Sequence, residues 1–105
     1  MIRILCAANW YRTADVVAHQ PENVHAGFVV AGYRHSTIYP VVAHISRDAW
    51  NALRRVEEHG FLTSDNRWVT RREAYDIAEA AGQLDMAEVR RRGGSRVLYS
   101  EDLYR

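Results

Sequence analysis

The sequence predicts an α+β domain, a small antiparallel β-sheet packed with two to three α-helices, and three observations lead there. Ile2 to Trp10 alternates in polarity with the period of two that a strand with one better-buried face requires. Phe61-Leu62-Thr63 and Arg67-Trp68-Val69 flank the turn-forming Ser64-Asp65-Asn66, a spacing suited to a small hairpin. Thr70-Arg71-Arg72-Glu73 is a capping box, followed by Ala74, Ile77, Ala78 and Ala81 at helical spacing and closed by Gly82.

The remaining elements follow in chain order. In the first strand, Ile2, Ile4, Cys6, Ala8 and Trp10 form the better-buried face. Tyr11 to Val24, with Pro21 and several polar residues, reads as a surface loop before a second strand from His25 to about Tyr33, rich in Val and Phe. The two strands are expected to pair as an irregular hairpin. Ser36 can cap a short helix through Ala43, with Pro40 in its first turn. Ser46 can cap another that carries Ala49, Trp50, Leu53 and Val56 on one face and ends at Gly60. Beyond the capping-box helix, Gln83 to Arg92 continues helically and Gly93-Gly94 breaks the chain. Arg96 to Tyr99 returns as an edge strand, and Ser100 caps a terminal turn. Neither an internal repeat nor a low-complexity tract interrupts the pattern.

Composition narrows the function. With 105 residues, 48% of them hydrophobic, residues 1–105 suit one domain around one core of ordinary size. The apolar runs fall far short of the roughly 18 residues a membrane span needs, and the N-terminus lacks a signal-type segment, so the expectation is a cytoplasmic protein. The single cysteine, Cys6, sits in the first strand and reads as a packed thiol. All 14 Lys+Arg residues are arginine. A GC-rich genome explains that by itself, but guanidinium groups are also planar, bidentate donors suited to phosphate. A net charge of +1 argues against a general nucleic-acid coat.

The five histidines, at positions 19, 25, 35, 44 and 59, are joined to no Cys, Asp or Glu in a zinc spacing. There is no GxSxG elbow, P-loop or GxGxxG motif. No metal, cofactor or nucleophilic catalysis is therefore expected.

Anion recognition has better support. Arg34-His35 follows the second strand at a helix start, where unpaired backbone N–H groups favour an anion. The alternative is that Arg34 pairs with a carboxylate and His35 satisfies a turn. Arg67, Arg71 and Arg72 surround Trp68 at the start of the capped helix, so cationic forks and an aromatic face can converge on a nucleotide. Against this, Arg72 can pair with Asp76 and Trp68 can belong to the hairpin core; Arg71 is the best of the set. Arg90-Arg91-Arg92 with Arg96 reads as a solvated helical face before it reads as a phosphate or RNA contact. Adjacent Glu101 and Asp102 are expected to point apart, with no catalytic role.

Taken in order, Gly32-Tyr33-Arg34-His35, Gly60-Phe61, Arg67-Trp68-Val69, Arg71-Arg72-Glu73-Ala74, Ala81-Gly82-Gln83 and Leu98-Tyr99-Ser100-Glu101-Asp102-Leu103-Tyr104 resemble motifs of the first described Thoeris anti-defence sponge family of phage. The resemblance implies an N-terminal antiparallel sheet followed by helices, and assembly as a dimer or hexamer. It also implies sequestration, without degradation, of a cyclic nucleotide signal: a cyclic ADP-ribose isomer or a cyclic oligonucleotide. With the chemistry above it gives a candidate ligand-binding set of Arg34, His35, Phe61, Arg67, Trp68, Arg71 and Gln83, with no catalytic or metal residue. A homo-oligomer with its pocket at a subunit boundary is expected, since three Trp and six Tyr are many for so small a core and short sheets leave edges for a partner to cover. The competing readings are a nucleotide-processing enzyme using His35 and a small phage protein that binds protein or RNA.

Overall fold

In the computed structural model, which describes residues 1–103, the first strand organises the chain. β1 (Ile4–Tyr11) lies inside a sheet of order β2-β1-β3-β4, and it pairs antiparallel with β2 (Phe28–Gly32) and with β3 (Glu57–Thr63). β4 (Trp68–Thr70) adds antiparallel to β3 through the predicted 61–69 hairpin. Four α-helices follow or interrupt these strands: α1 (His35–Ile45), α2 (Trp50–Leu53), α3 (Arg71–Ala80) and α4 (Met86–Arg91). A 3-10 turn spans Ser100–Asp102. The α+β class is as the sequence predicts; Tyr104, the last residue of the C-terminal motif, lies outside the described residues.

Both faces of the sheet are buried, which a single alternation cannot encode. Ala7 and Tyr11 of β1, Phe61 of β3 and Val69 of β4 face the helices, packing with Ile38 and Val42 of α1, Ala74, Tyr75 and Ala78 of α3, and Val89 of α4. Ala8 and Trp68, with Trp10, Val29 and Leu62 beside them, face the opposite way and are covered by the 12–27 connection through Val24. Ile4 belongs to the helix side although Ala8 and Trp10 do not, because a register shift between Ile4 and Cys6 exchanges the faces. The expected common face from Ile2 to Trp10 is corrected accordingly. Cys6 is half-buried, and burial raises its thiol pKa.

Several boundaries also move. The second strand starts at Phe28, after Gly27 turns the chain with φ of 78°. At Gly27 a Cβ would lie 2.2 Å from the Tyr11 carbonyl oxygen, so no larger residue fits. α1 is capped by Arg34 in place of Ser36, begins two residues earlier than expected and runs on to Ile45, so Pro40 sits in its second turn. The Ser46 helix is only Trp50–Leu53, and Gly60 does not terminate it. Gly60 instead lies within β3, where a Cβ would stand 2.3 Å from the Val69 oxygen and 2.5 Å from the Trp68 ring. A glycine there is a close-approach residue, not a helix stop. The expected helical continuation from Gln83 is interrupted until Asp85 caps α4 by accepting from the Ala87 and Glu88 N–H groups. Arg96 to Tyr99 is not an edge strand; the Leu98 N–H reaches the Arg71 oxygen but no ladder forms.

The α3 capping box forms as predicted: Thr70 Oγ1 accepts from the Glu73 N–H at 3.2 Å, and Glu73 Oε1 accepts from the Thr70 N–H at 3.1 Å. Side-chain amides cover parts of the sheet margins. Gln83 donates to and accepts from the Ile4 backbone, both at 2.8 Å, and Asn23 does the same for Trp68 at 2.6 and 2.9 Å. Gln20 accepts from the Val29 N–H at 2.8 Å. These amides satisfy backbone groups that a neighbouring strand would otherwise take.

Candidate functional site

The chemistry collects where four segments end together. β2 delivers the chain to α1 past Gly32, at which a Cβ would stand 2.7 Å from Ile38 Cγ1. Arg34 is the N-cap residue, and the Thr37 hydroxyl donates to its carbonyl at 2.7 Å. His35, the first residue of α1, is thereby driven inward and is buried. Beside it lies an open cleft of about 240 Å³. Ser36 and Tyr39 of α1, His59 of β3, Arg71 of α3, and Tyr99, Ser100 and Glu101 from the C-terminal segment line it with His35.

Hydrogen-bond directions fix both imidazoles. The Gly60 carbonyl, 2.7 Å from His35 Nε2, can only accept, so Nε2 carries the proton. His35 Nδ1 is then an acceptor facing the Ser100 hydroxyl at 3.5 Å. The ring meets Phe61 edge-on at 4.9 Å and stacks on His59 at 5.1 Å. Burial, with Arg71 and His59 nearby, lowers the His35 pKa to about 4 despite its bond to Gly60.

On His59 the same logic runs through arginine, which only donates. Arg71 Nη2 lies 3.4 Å from His59 Nδ1, so Nδ1 is the acceptor and Nε2–H donates to Glu57 Oε1 at 2.8 Å. The other Glu57 oxygen accepts from the Tyr11 hydroxyl at 2.5 Å. Burial and that bond raise the Tyr11 pKa, so the phenol stays protonated.

Arg71 is the cation of the cleft. Its Nη1 donates to the Leu98 oxygen at 2.9 Å and its guanidinium lies 5.0 Å from the Tyr99 ring centre. Among the described residues no carboxylate stands within 4.0 Å of it to form an ion pair. Burial lowers its pKa, yet an arginine stays charged. A half-buried cation held by neutral acceptors at the mouth of a cleft attracts an anion.

The sequence-derived candidates therefore separate. Arg71 and His35 line the cleft, whereas Phe61 does not: it is fully buried and meets the His35 ring edge-on from within the core. Arg34 stands at the rim, paired with Glu101 at 3.0 Å, the carboxylate alternative noted above. Trp68 lies on the other side of the sheet, 3% exposed, its Nε1–H donating to the Ala8 oxygen at 3.0 Å. Arg67 pairs with Asp65 at 2.9 Å within the hairpin turn, and Gln83 is committed to Ile4. Arg72 does not bind Asp76, which Arg96 takes at 3.2 Å. Glu101 and Asp102 do point apart: one faces the cleft, the other is buried against Arg92. His59, Tyr39 and Tyr99 are cleft residues that sequence reasoning missed. Had β3 been started at Glu57, its period of two would have put His59 on the face of Phe61.

One consequence concerns acid stability. The folded pKa of His35 is depressed, so the unfolded chain takes up a proton first as pH falls. The stabilisation is fully present above about pH 6.5 and is lost as pH falls toward 4, by roughly 3 kcal/mol. Urea unfolding between pH 4 and 7 should show this slope, and His35→Gln should flatten it; an equal slope in the variant removes His35 as the cause.

Among the described residues no group of three or more His, Cys, Asp and Glu side chains is placed to hold a metal ion, and no helix is long and apolar enough to cross a membrane. No curated protein and no solved structure matches the chain. The model of a family described as the phage T4 y16D protein matches residues 3–104. That match covers nearly the whole chain, and the protein belongs to this phage protein family.

Proposed function

We propose that the protein binds and sequesters a phosphate-bearing cyclic nucleotide signal without degrading it, a sponge of the anti-defence kind that its motifs resemble. The observation that carries this reading is Arg71: a half-buried guanidinium with neutral partners, in a cleft beside the N-terminus of α1. Tyr39 and Tyr99 present partly exposed rings at the same cleft, which suits stacking on a base. The ligand class is a cyclic ADP-ribose isomer or a cyclic oligonucleotide.

A nucleotide-processing enzyme is the second reading, favoured by the two stacked histidines at the cleft. Against it, His35 is a weak base whose two ring nitrogens face Gly60 and Ser100. Incubation with a panel of cyclic nucleotides, removal of free ligand and denaturation of the protein separates the two. A sponge returns the bound molecule intact; return of a product overturns sequestration.

Arg71→Ala should weaken binding by ~1.5–3 kcal/mol, about ten- to a hundredfold. The backbone bond from the Leu98 N–H to the Arg71 oxygen survives the change, so the fold is kept. Calorimetry on the same panel checks this, and unchanged affinity removes Arg71 from the site.

The cleft, at about 240 Å³, falls below the ~300–1,000 Å³ of ordinary small-molecule sites. We propose that a second copy of the chain completes it in a homo-oligomer, with exposed Val41 and Ile45 on one flank of α1 as contact surface. Light scattering with binding stoichiometry tests this; a monomer that binds at full affinity overturns it.

A further inference from the structure

His59 stands between opposite charges. Glu57 accepts its Nε2–H on one side, and Arg71 donates to its Nδ1 on the other. Glu57 is largely enclosed and, among the described residues, the Tyr11 hydroxyl is the other side-chain donor to it, so its negative charge is directed at the imidazole. The other titratable residues lining the cleft are His35 of α1, stacked at 5.1 Å, Tyr39 of α1, and Tyr99 and Glu101 of the C-terminal segment. His35 is held neutral by burial, and Glu101 is engaged by Arg34.

We propose that His59 is a proton-linked anion contact: an anion that binds Arg71 is captured together with one proton on His59 Nδ1. This rests on the cleft being an anion site. An oxygen that takes Arg71 Nη2 removes the donor that now faces Nδ1 and presents its own lone pairs to the Nδ1 lone pair. Protonation converts that repulsion into a charge-assisted hydrogen bond. The resulting imidazolium lies between two anions, Glu57 and the ligand, which is the arrangement that favours the charged form of histidine. By linkage, proton and anion then strengthen each other's binding equally. His35 cannot substitute, since its Nε2–H is committed to Gly60 and it is buried.

Sulfate is a suitable probe because it stays a dianion across the range where histidine titrates. Its binding should be measured against chloride at equal ionic strength, from pH 6 to 8, with histidine nitrogen resonances recorded by NMR. The expected result is sulfate affinity about tenfold higher at pH 6 than at pH 8, with His59 alone among the cleft histidines becoming protonated in the complex. His59→Gln should abolish the pH dependence. Sulfate that perturbs the cleft with no pH dependence, or with His59 unprotonated, overturns the inference and leaves the anion site standing. Sulfate that leaves the cleft unperturbed at every pH overturns both.

Discussion

Replacing Trp68 by alanine is expected to destabilise the domain by about 3–5 kcal/mol, a large share of the ~5–15 kcal/mol that holds a domain together. Trp68 is 3% exposed and meets Trp10 edge-on at 5.1 Å. The space at Gly60 is filled by its ring, and its N–H satisfies the Ala8 carbonyl. Alanine would leave a cavity between the sheet and the 12–27 connection and orphan that carbonyl. Trp68→Phe keeps most of the ring and should cost less. Because the cleft is on the other side of the sheet, a folded Trp68→Phe protein should bind ligand as the parent does. Urea unfolding and calorimetry on the two variants check both halves: a native-like midpoint for Trp68→Ala, or selective loss of binding in Trp68→Phe, would return Trp68 to the ligand.

The reason Trp68 reads as a ligand contact in the sequence is its company. Arg67, Arg71 and Arg72 lie within four residues of it, and linear proximity suggests convergence. A strand and a helix turn that proximity into divergence. Trp68 and Val69 point to opposite faces by the pleat, Arg67 is retained by Asp65 in the turn, and only Arg71 is carried by the N-terminus of α3 into the cleft. The capping box and hairpin were legible because their signals are local. The first half of β3 was not, because Glu57-Glu58-His59-Gly60 has neither β-branched nor aromatic residues; its strand state comes from pairing with β1 across some fifty residues. The face exchange in β1 likewise depends on a bulge that alternation alone does not mark.

Half of the cleft comes from residues far apart in the chain, which explains why only Arg71 and His35 could be placed there from the sequence. Tyr99, Ser100 and Glu101 reach His35 across more than sixty residues. Their position depends on a contact that the sequence reading assigned to a solvated arginine face: Arg92 with Asp102. Gly93 and Gly94, both at positive φ, reverse the chain after α4 and bring its last turn back against the C-terminal segment.

Arg92→Ala should therefore be the most damaging single change near the site. Arg92 donates to both Asp102 oxygens, at 2.9 and 2.7 Å, and also to the Ser95 and Val97 carbonyls at 3.0 and 2.8 Å. The Asp102 side chain has no exposed surface, and it also accepts from the Tyr99 N–H at 3.0 Å. Removing Arg92 leaves a buried carboxylate without its counter-ion, which costs about 3–5 kcal/mol. Replacing both partners by apolar residues, Arg92→Met with Asp102→Leu, should recover much of that stability, because the penalty belongs to the stranded charge and not to the loss of the pair. Recovery of binding is expected to be poorer, since the Tyr99 N–H would still lack its acceptor and the turn carrying Ser100 and Glu101 would be less fixed. Urea unfolding of the single and double variants, with ligand calorimetry on whichever fold, decides this. An Arg92→Ala protein that unfolds at the parent's midpoint would show that Asp102 finds another partner or takes up a proton, and the C-terminal segment would have to be held by Arg71 and Leu98 instead.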